Sequence, residues 1–302
     1  MVKREYSNKE LITFEEKYKG QEVSLEDKEI CLHLDSFCLG DSICFSAFVK
    51  PFLEFHKPKK IFVTTFFKHL FVSDDDRIEF LSATEKGVHL KIDKYISVGY
   101  HKEDLNHTLG GMFYAVRDTM KLPMGTKPSK CPVVPYEKKT IVNKITIAPE
   151  SLKMIAKWNY NNEKGWQTVV DELNSMNFEV FNVSYEDNLK LNNVRDFHGF
   201  DDINVALNHI LESRVFIGLS SGLAWLAWAY DVPVVMIANF TKPHNEFECF
   251  RVKNEMSCSG CFNVFKNITS SCPIFLGTQR ENECHKTITP DMVMKQVKLA
   301  LV

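Results

Sequence analysis

Four groups of residues in this chain have the types and spacing to do chemistry. The first is Ser220-Ser221-Gly222, a polar turn between the apolar run Val215-Phe216-Ile217 and a stretch of small and aromatic residues over 223–230. N–H groups and hydroxyls at the start of a helix bind phosphate, so this is either an anion cradle or the tight turn of a buried core unit. The second is Asp41, in Leu39-Gly40-Asp41-Ser42. A carboxylate there either caps its helix or takes the proton of an attacking hydroxyl. The third is Lys157, in Ile155-Ala156-Lys157-Trp158-Asn159. It is either a surface lysine or the cation that neutralises a diphosphate leaving group. The fourth is Cys258, Cys261, Cys272 and Cys284, spaced C-x2-C-x10-C-x11-C. A two-residue turn brings the first two sulfurs to one side of an ion, and the later two complete a tetrahedron. Four thiolates leave no open position, so the site reads as structural; ligand type favours zinc and is compatible with iron.

Each group needs an element to hold it. A strand over 30–34, a polar loop over 35–42 and a helix through Ile43, Phe45, Phe48, Phe52 and Phe55 lead to a strand over 61–65, with Pro58 as the stop. This βαβ unit puts Asp41 at the carboxyl end of its first strand. Residues 11–25 read as two short strands around Lys19-Gly20, a small hairpin. Asp74-Asp75-Asp76 is a solvated turn or a divalent-metal site. Further strands are expected over 78–100 and a helix over 107–122. Residues 121–144 carry four prolines and six lysines against a lone Glu137. They read as an interdomain linker, placed at 126–143, whose charge is solvated or meets a polyanion. Alternation then resumes: strand 144–148, a loop with Glu150 and Lys157, helix 166–176, strand 178–183, helix 203–212, and the unit around Ser220. The pattern predicts an α/β protein of two doubly wound domains, 30–125 and 144–289, facing each other across a cleft. The N-terminal strands occupy 1–29 and a C-terminal helix 290–302.

Composition narrows the class. The 302 residues are 44% hydrophobic and 25% charged, which is globular, and 37 basic against 39 acidic residues give a net charge of −2. That balance argues against a protein held mainly by charge on nucleic acid or membrane. The most apolar stretch, around Ser220, is interrupted by Asp231 and Pro233 and is a core unit, not a span. The polar N-terminus carries no secretory signal, which makes the cytoplasm the expected compartment and a metal site the expected use of the clustered cysteines.

The segments GLSSGLAWLAWAYDVPVVMI, CSGCFN and GTQRENECHKTITPDMV, with looser matches at LGDS and AKWNYNNEKGWQTVVDEL, resemble the bacterial autotransporter heptosyltransferases from about residue 30 to the end. The resemblance implies a GT-B glycosyltransferase that takes its sugar from an ADP- or UDP-linked donor, ADP-heptose in characterised members, with a serine hydroxyl of an autotransporter as acceptor. It implies Asp41 as general base, Lys157 on the donor phosphates, and Ser220, Ser221 and Gly222 in the phosphate turn, where wider heptosyltransferases often carry Asp-Thr-Gly. Glu186 becomes a candidate for the ribose hydroxyls. Cys258, Cys261, Cys272 and Cys284 match an iron-binding finger, which moves the expected metal from zinc to iron. Family members usually carry a longer N-terminal region that engages the acceptor and builds a large ring-like oligomer; here about thirty residues precede the first core strand. The composition, rich in Lys, Asn and Phe, also suggests an alternative: a phage-type enzyme, acting in an infected host's cytoplasm, that adds arabinose or glucose to hydroxymethylated cytosine in flipped-out DNA. A non-catalytic metal-bearing scaffold is the third reading. Inversion without a catalytic metal is expected, since Lys157 and helix N–H groups neutralise the leaving group.

Overall fold

The computed structural model describes residues 13–16, 24–84, 89–99, 105–130, 132–136, 139–151, 158, 160–161, 164–186, 188–198, 202–262 and 272–302. Two compact units divide the chain, Met1–Pro135 and Tyr136–Val302.

In the first unit β1 (Thr13–Glu16) precedes β2 (Glu29–Leu34). Ile30, Cys31, Leu32 and Leu34 are all fully buried, the near-continuous apolar run of a parallel strand covered on both faces. Helices α1 (Leu39–Ser46) and α2 (Val49–His56) follow, where periodicity predicts one continuous helix. The reason for the break is Pro51. It has no N–H for the Ala47 carbonyl, which instead accepts from the Ser129 backbone at 2.8 Å and the Ser129 hydroxyl at 3.0 Å. Lys57, in the left-handed region at φ 50°, ends α2 before Pro58. Next come β3 (Lys60–Thr65), β4 (Ile78–Ser82), β5 (His89–Ile92), β6 (Lys94–Val98) and α3 (Leu105–Thr119), which is kinked at Gly111. The sheet is parallel, in the order β4-β3-β2-β6.

β1 pairs in parallel with β5, and residues 17–23, which hold the turn and most of the second arm of the expected hairpin, lie outside the described residues. Part of the stretch read as linker is folded onto this unit: Val133 bridges Phe71, and Val134 donates its N–H to Leu70. Asp75 of the acidic triplet is engaged by Arg77 through two side-chain bonds of 2.9 and 2.7 Å. That contact, ahead of the burial that opposes it, holds its carboxyl below the usual range.

In the second unit β7 (Lys144–Ala148), α4 (Lys164–Ser175), β8 (Glu179–Asn182), β9 (Arg195–Asp196), α5 (Ile203–Glu212), β10 (Val215–Leu219), α6 (Gly222–Ala229), β11 (Val234–Ile237) and β12 (Phe250–Val252) lead to α7 (Glu283–Lys286) and α8 (Pro290–Ala300). All five strand contacts are parallel, in the order β12-β11-β10-β7-β8-β9. The strand order reverses between β7 and β10. In doubly wound sheets the crevice at that switch, beyond the carboxyl ends, is where ligands bind. α4 buries Trp166, Val169, Val170 and Leu173, one helical face, against the sheet. α8 is capped by the Thr289 hydroxyl and buries Val293, Met294 and Val297. At about 1.5–3 kcal/mol per buried apolar side chain, these outweigh the surface pair Lys298–Glu172 at 2.9 Å, worth about 0.2–1 kcal/mol. Lys144, counted among the linker cations, is 2% exposed. It bonds His209 at 2.8 Å and Glu212 at 2.5 Å, and so is withdrawn from any polyanion.

Candidate functional site

β10 is buried along its whole length and delivers its last residue to the switch point, where Ser220 and Ser221 follow at once. Ser221 is extended (φ −148°, ψ 168°) and its hydroxyl makes no cap bond to α6. Its carbonyl instead accepts the N–H groups of Ala224 and Trp225. Ser221 Oγ is buried without a hydrogen-bond partner among the described residues. Ser220 behaves differently, donating its hydroxyl to Glu246 Oε1. Glu246 Oε2 accepts from Thr241 Oγ1 at 3.1 Å and from Arg251 Nη2, and Arg251 Nη1 reaches the Ala238 carbonyl at 2.9 Å. The side chains of Glu246 and Arg251 are 2% and 9% exposed. Burial pulls the guanidinium down to about 10, still protonated at neutral pH.

A second carboxylate, Glu150, stands just past β7, 5% exposed. Its backbone N–H donates to Ser184 Oγ at 3.1 Å, and its Oε2 accepts the N–H groups of Asn188 and Leu189 at 2.9 and 3.3 Å. These bonds shape the loop beyond β8 that carries Glu186, whose Oε1 is buried with no partner among the described residues. Lys157 lies outside the described residues. Glu246 and Arg251 are absent from the sequence reading, and Glu150 appears there only as a loop residue with no role. Their only sequence signal is charge inside apolar surroundings, and burial of a charge depends on a partner that sequence does not reveal.

In the first unit Asp41 occupies the first turn of α1, beyond the carboxyl end of β2. It does not cap the helix as an N-cap residue, since Cys38 holds that place. Ser36 donates its hydroxyl to Asp41 Oδ2 at 2.8 Å and accepts the Cys38 N–H at 3.0 Å. Beside it, His33 meets Thr64 at 2.8 Å and stacks on Tyr95, while the exposed Phe37 packs on Phe66 with ring centroids 4.1 Å apart. Burial, opposed by Asp35, lowers the His33 imidazole.

Cys258, Cys261, Cys272 and Cys284 line one small cavity, and none is in a disulfide. Burial first, then the neighbouring cysteines, pushes Cys284 up to about 12, and burial pushes Cys261 up to about 11. Cys272 goes the other way: burial raises it, but bonds from the Asn282, Phe275 and Ile274 backbones bring it down on balance. N–H groups turned on a sulfur suit a thiolate, as a metal site requires. As placed, however, no three His, Cys, Asp or Glu side chains among the described residues converge as ligands on one ion. Gly260, at φ 76°, lies between the first two cysteines, and a Cβ there would fall 2.5 Å from the Lys242 stem. Its N–H and that of Phe262 bond the carbonyls of Asn239 and Phe240, which ties the cysteine turn to the segment leading into Glu246.

No family model matches the chain. It is 28% identical over 290 residues to the autotransporter heptosyltransferase Aah of Escherichia coli, a match covering 90% of this chain and 74% of that protein. The autotransporter heptosyltransferase of Citrobacter rodentium is 34% identical over 163 residues, covering 49% of this chain and 39% of the relative. A Burkholderia thailandensis relative named an inactive autotransporter heptosyltransferase is 38% identical over 88 residues, 27% of this chain and 21% of that one. Among solved structures, the iron-containing dodecameric glycosyltransferase TibC of enterotoxigenic E. coli superposes with a TM-score of 0.80 at 23% identity, covering 92% of this chain and 77% of that one. The TibC complex with ADP-D-β-D-heptose gives 0.78 at 24%, covering 94% and 82%. At these identities the superpositions establish the fold, an α/β arrangement of parallel sheets like that of the heptosyltransferases. By sequence, the chain is a homologue of the autotransporter heptosyltransferases, which are glycosyltransferases.

Proposed function

We propose that the chain is an inverting glycosyltransferase that moves heptose from ADP-heptose to a serine hydroxyl of an autotransporter protein. One observation carries this reading. Ser221 Oγ and Glu186 Oε1, both buried without partners among the described residues, follow the carboxyl ends of β10 and β8, the edge on which sheets of this order bind nucleotides. The diphosphate rests on the Ser221 hydroxyl and the first N–H groups of α6, with Lys157 completing the neutralisation; one preorganised donor of this kind contributes about 3–4 kcal/mol to a charged transition state. Glu186 accepts from the ribose hydroxyls. The acceptor oxygen bonds the anomeric carbon as its bond to the diphosphate breaks. The proton passes to Asp41 and the nucleoside diphosphate leaves.

Cys258, Cys261, Cys272 and Cys284 hold a structural metal ion in this reading, iron as in the name of the TibC structure, with zinc the alternative that four thiolates also suit. Bound, it would stabilise the finger. The dodecameric relative supports a homo-oligomer, and the cytoplasm is the compartment proposed. No helix among the described residues is long and apolar enough to cross a membrane. Hydroxymethylated DNA as acceptor draws no support from these relatives.

A panel of nucleotide sugars screened by thermal stabilisation tests the donor, because a ligand bound only to the native state raises the melting temperature. ADP-heptose should give the largest shift, and transfer should then add one heptose to an autotransporter passenger by mass. Since one relative is named inactive, binding without transfer is the result that would leave the chain a non-catalytic scaffold. Metal analysis of the purified chain should find iron or zinc, and neither would remove the finger.

A further inference from the structure

We propose that Glu246 is the positioning residue of the donor turn: it tethers Ser220 away from the diphosphate and leaves Ser221 as the hydroxyl that meets it. The inference rests on the donor-binding reading above and adds which of two adjacent serines does the work. A hydroxyl has one proton to give. That of Ser220 is given to Glu246 Oε1, and that of Ser221 is given to nothing among the described residues, its own helix included. Glu246 is no incidental neighbour. A carboxylate 2% exposed carries a desolvation cost of several kcal/mol, and it persists only because both its oxygens are bonded, by Ser220 on one side and by Thr241 and Arg251 on the other. The pairing also settles an electrostatic conflict. An uncompensated carboxylate behind a phosphate turn would repel the diphosphate, and the Arg251 guanidinium cancels that charge. Arg251 is in turn fixed by the Ala238 carbonyl at 2.9 Å, just beyond β11, so the tether is anchored to the neighbouring strand of the sheet.

Calorimetric titration with ADP, UDP and GDP, and with adenosine, uridine and guanosine as phosphate-free controls, reads the assignment. For the best nucleoside diphosphate, Ser221→Ala should weaken binding about tenfold or more, the loss of a bond to a charged group. Ser220→Ala, which cuts only the tether, should weaken it about threefold, and Ser220→Thr should restore it. Nucleoside affinity should stay unchanged in all three. The charge-neutral double variant Glu246→Leu, Arg251→Leu, which removes the acceptor and its counter-charge together, should weaken the diphosphate about tenfold. Adding Ser220→Ala to it should then change nothing further, because the tether is already cut. Full additivity in that cycle, or equal losses in the two serine variants, overturns the proposal. Should the double variant not fold, the serine comparison and the Ser220→Thr rescue decide alone. A wild-type chain that binds none of the diphosphates overturns the donor reading and this inference with it. Wild-type binding with Ser221→Ala unchanged overturns this inference alone.

Discussion

Twice the chain opens a buried parallel strand into a polar turn and then a helix, after β2 at residues 35–41 and after β10 at residues 220–222, and the two mouths are finished in opposite ways. At the first, the helix supplies its own anion. Asp41 sits in the opening turn of α1, held by the Ser36 hydroxyl, in a setting open enough that Phe37 beside it is 60% exposed. At the second, α6 has no acidic residue in its first turn, and Glu246, the carboxylate bonded to the turn, is neutralised by Arg251 and turned to Ser220. A helix N-terminus carries about half a positive charge. In one mouth that charge is met by a side chain of the protein, and in the other no acidic side chain of the helix's first turn meets it. In the function proposed above, the same local device serves a proton acceptor in one unit and an anion cradle in the other.

The comparison breaks most visibly at Asp41. Asp41→Asn should lower the transfer rate by about 10²–10⁴-fold with donor affinity unchanged, measured by kinetics beside calorimetry; full activity would remove the general base. Ser221→Asp makes the second mouth resemble the first. It should weaken nucleoside diphosphate binding by about a hundredfold, since a like charge costs several kcal/mol, while leaving nucleoside binding intact. Ser36→Ala removes one bond from Asp41 and should slow transfer about threefold to tenfold without touching donor affinity; a loss of donor binding instead would mean the loop has another task. The smallest effect lies away from both mouths. Burial, then the Lys144 charge, holds the His209 imidazole below its ordinary 6.5, with Glu212 opposing. A depressed folded value means that the neutral ring's contribution is present above pH 6.5 and lost as pH falls through the folded value. His209→Gln should thus lose less melting temperature between pH 7 and 5 than the wild type, by about 2 °C or less given the ring's partial exposure. Parallel pH curves would mean that protonation there is not opposed.

Much of this contrast was legible in the order of residue types. The unbroken apolar run of β10 against the serines that follow, the glycine opening α6, and Asp41 after β2 are local features, and local features survive without a structure. Some local evidence was passed over. Pro51 lacks the N–H that Ala47 needs, yet the apolar spacing from Ile43 to Phe55 runs straight through the break. Other features had no local trace. The partner of β1 is β5, about seventy residues on, and Glu246 stands 26 residues from the serine it holds.

The sequence by itself determined the α/β alternation, the residue types at both mouths and the cysteine spacing, because each follows from short-range periodicity, turn chemistry and ligand geometry. Only the tertiary structure decided that β7 and β10 are neighbours at the switch point, and that Lys144 is a buried partner of Glu212 and not a linker cation. It also decided that of two adjacent serines one is tied to a buried carboxylate and the other is not. The physical reason is common to all three. Which strand lies beside which, and which charge loses its water, depend on contacts between distant residues whose free energy exists only once the chain is packed.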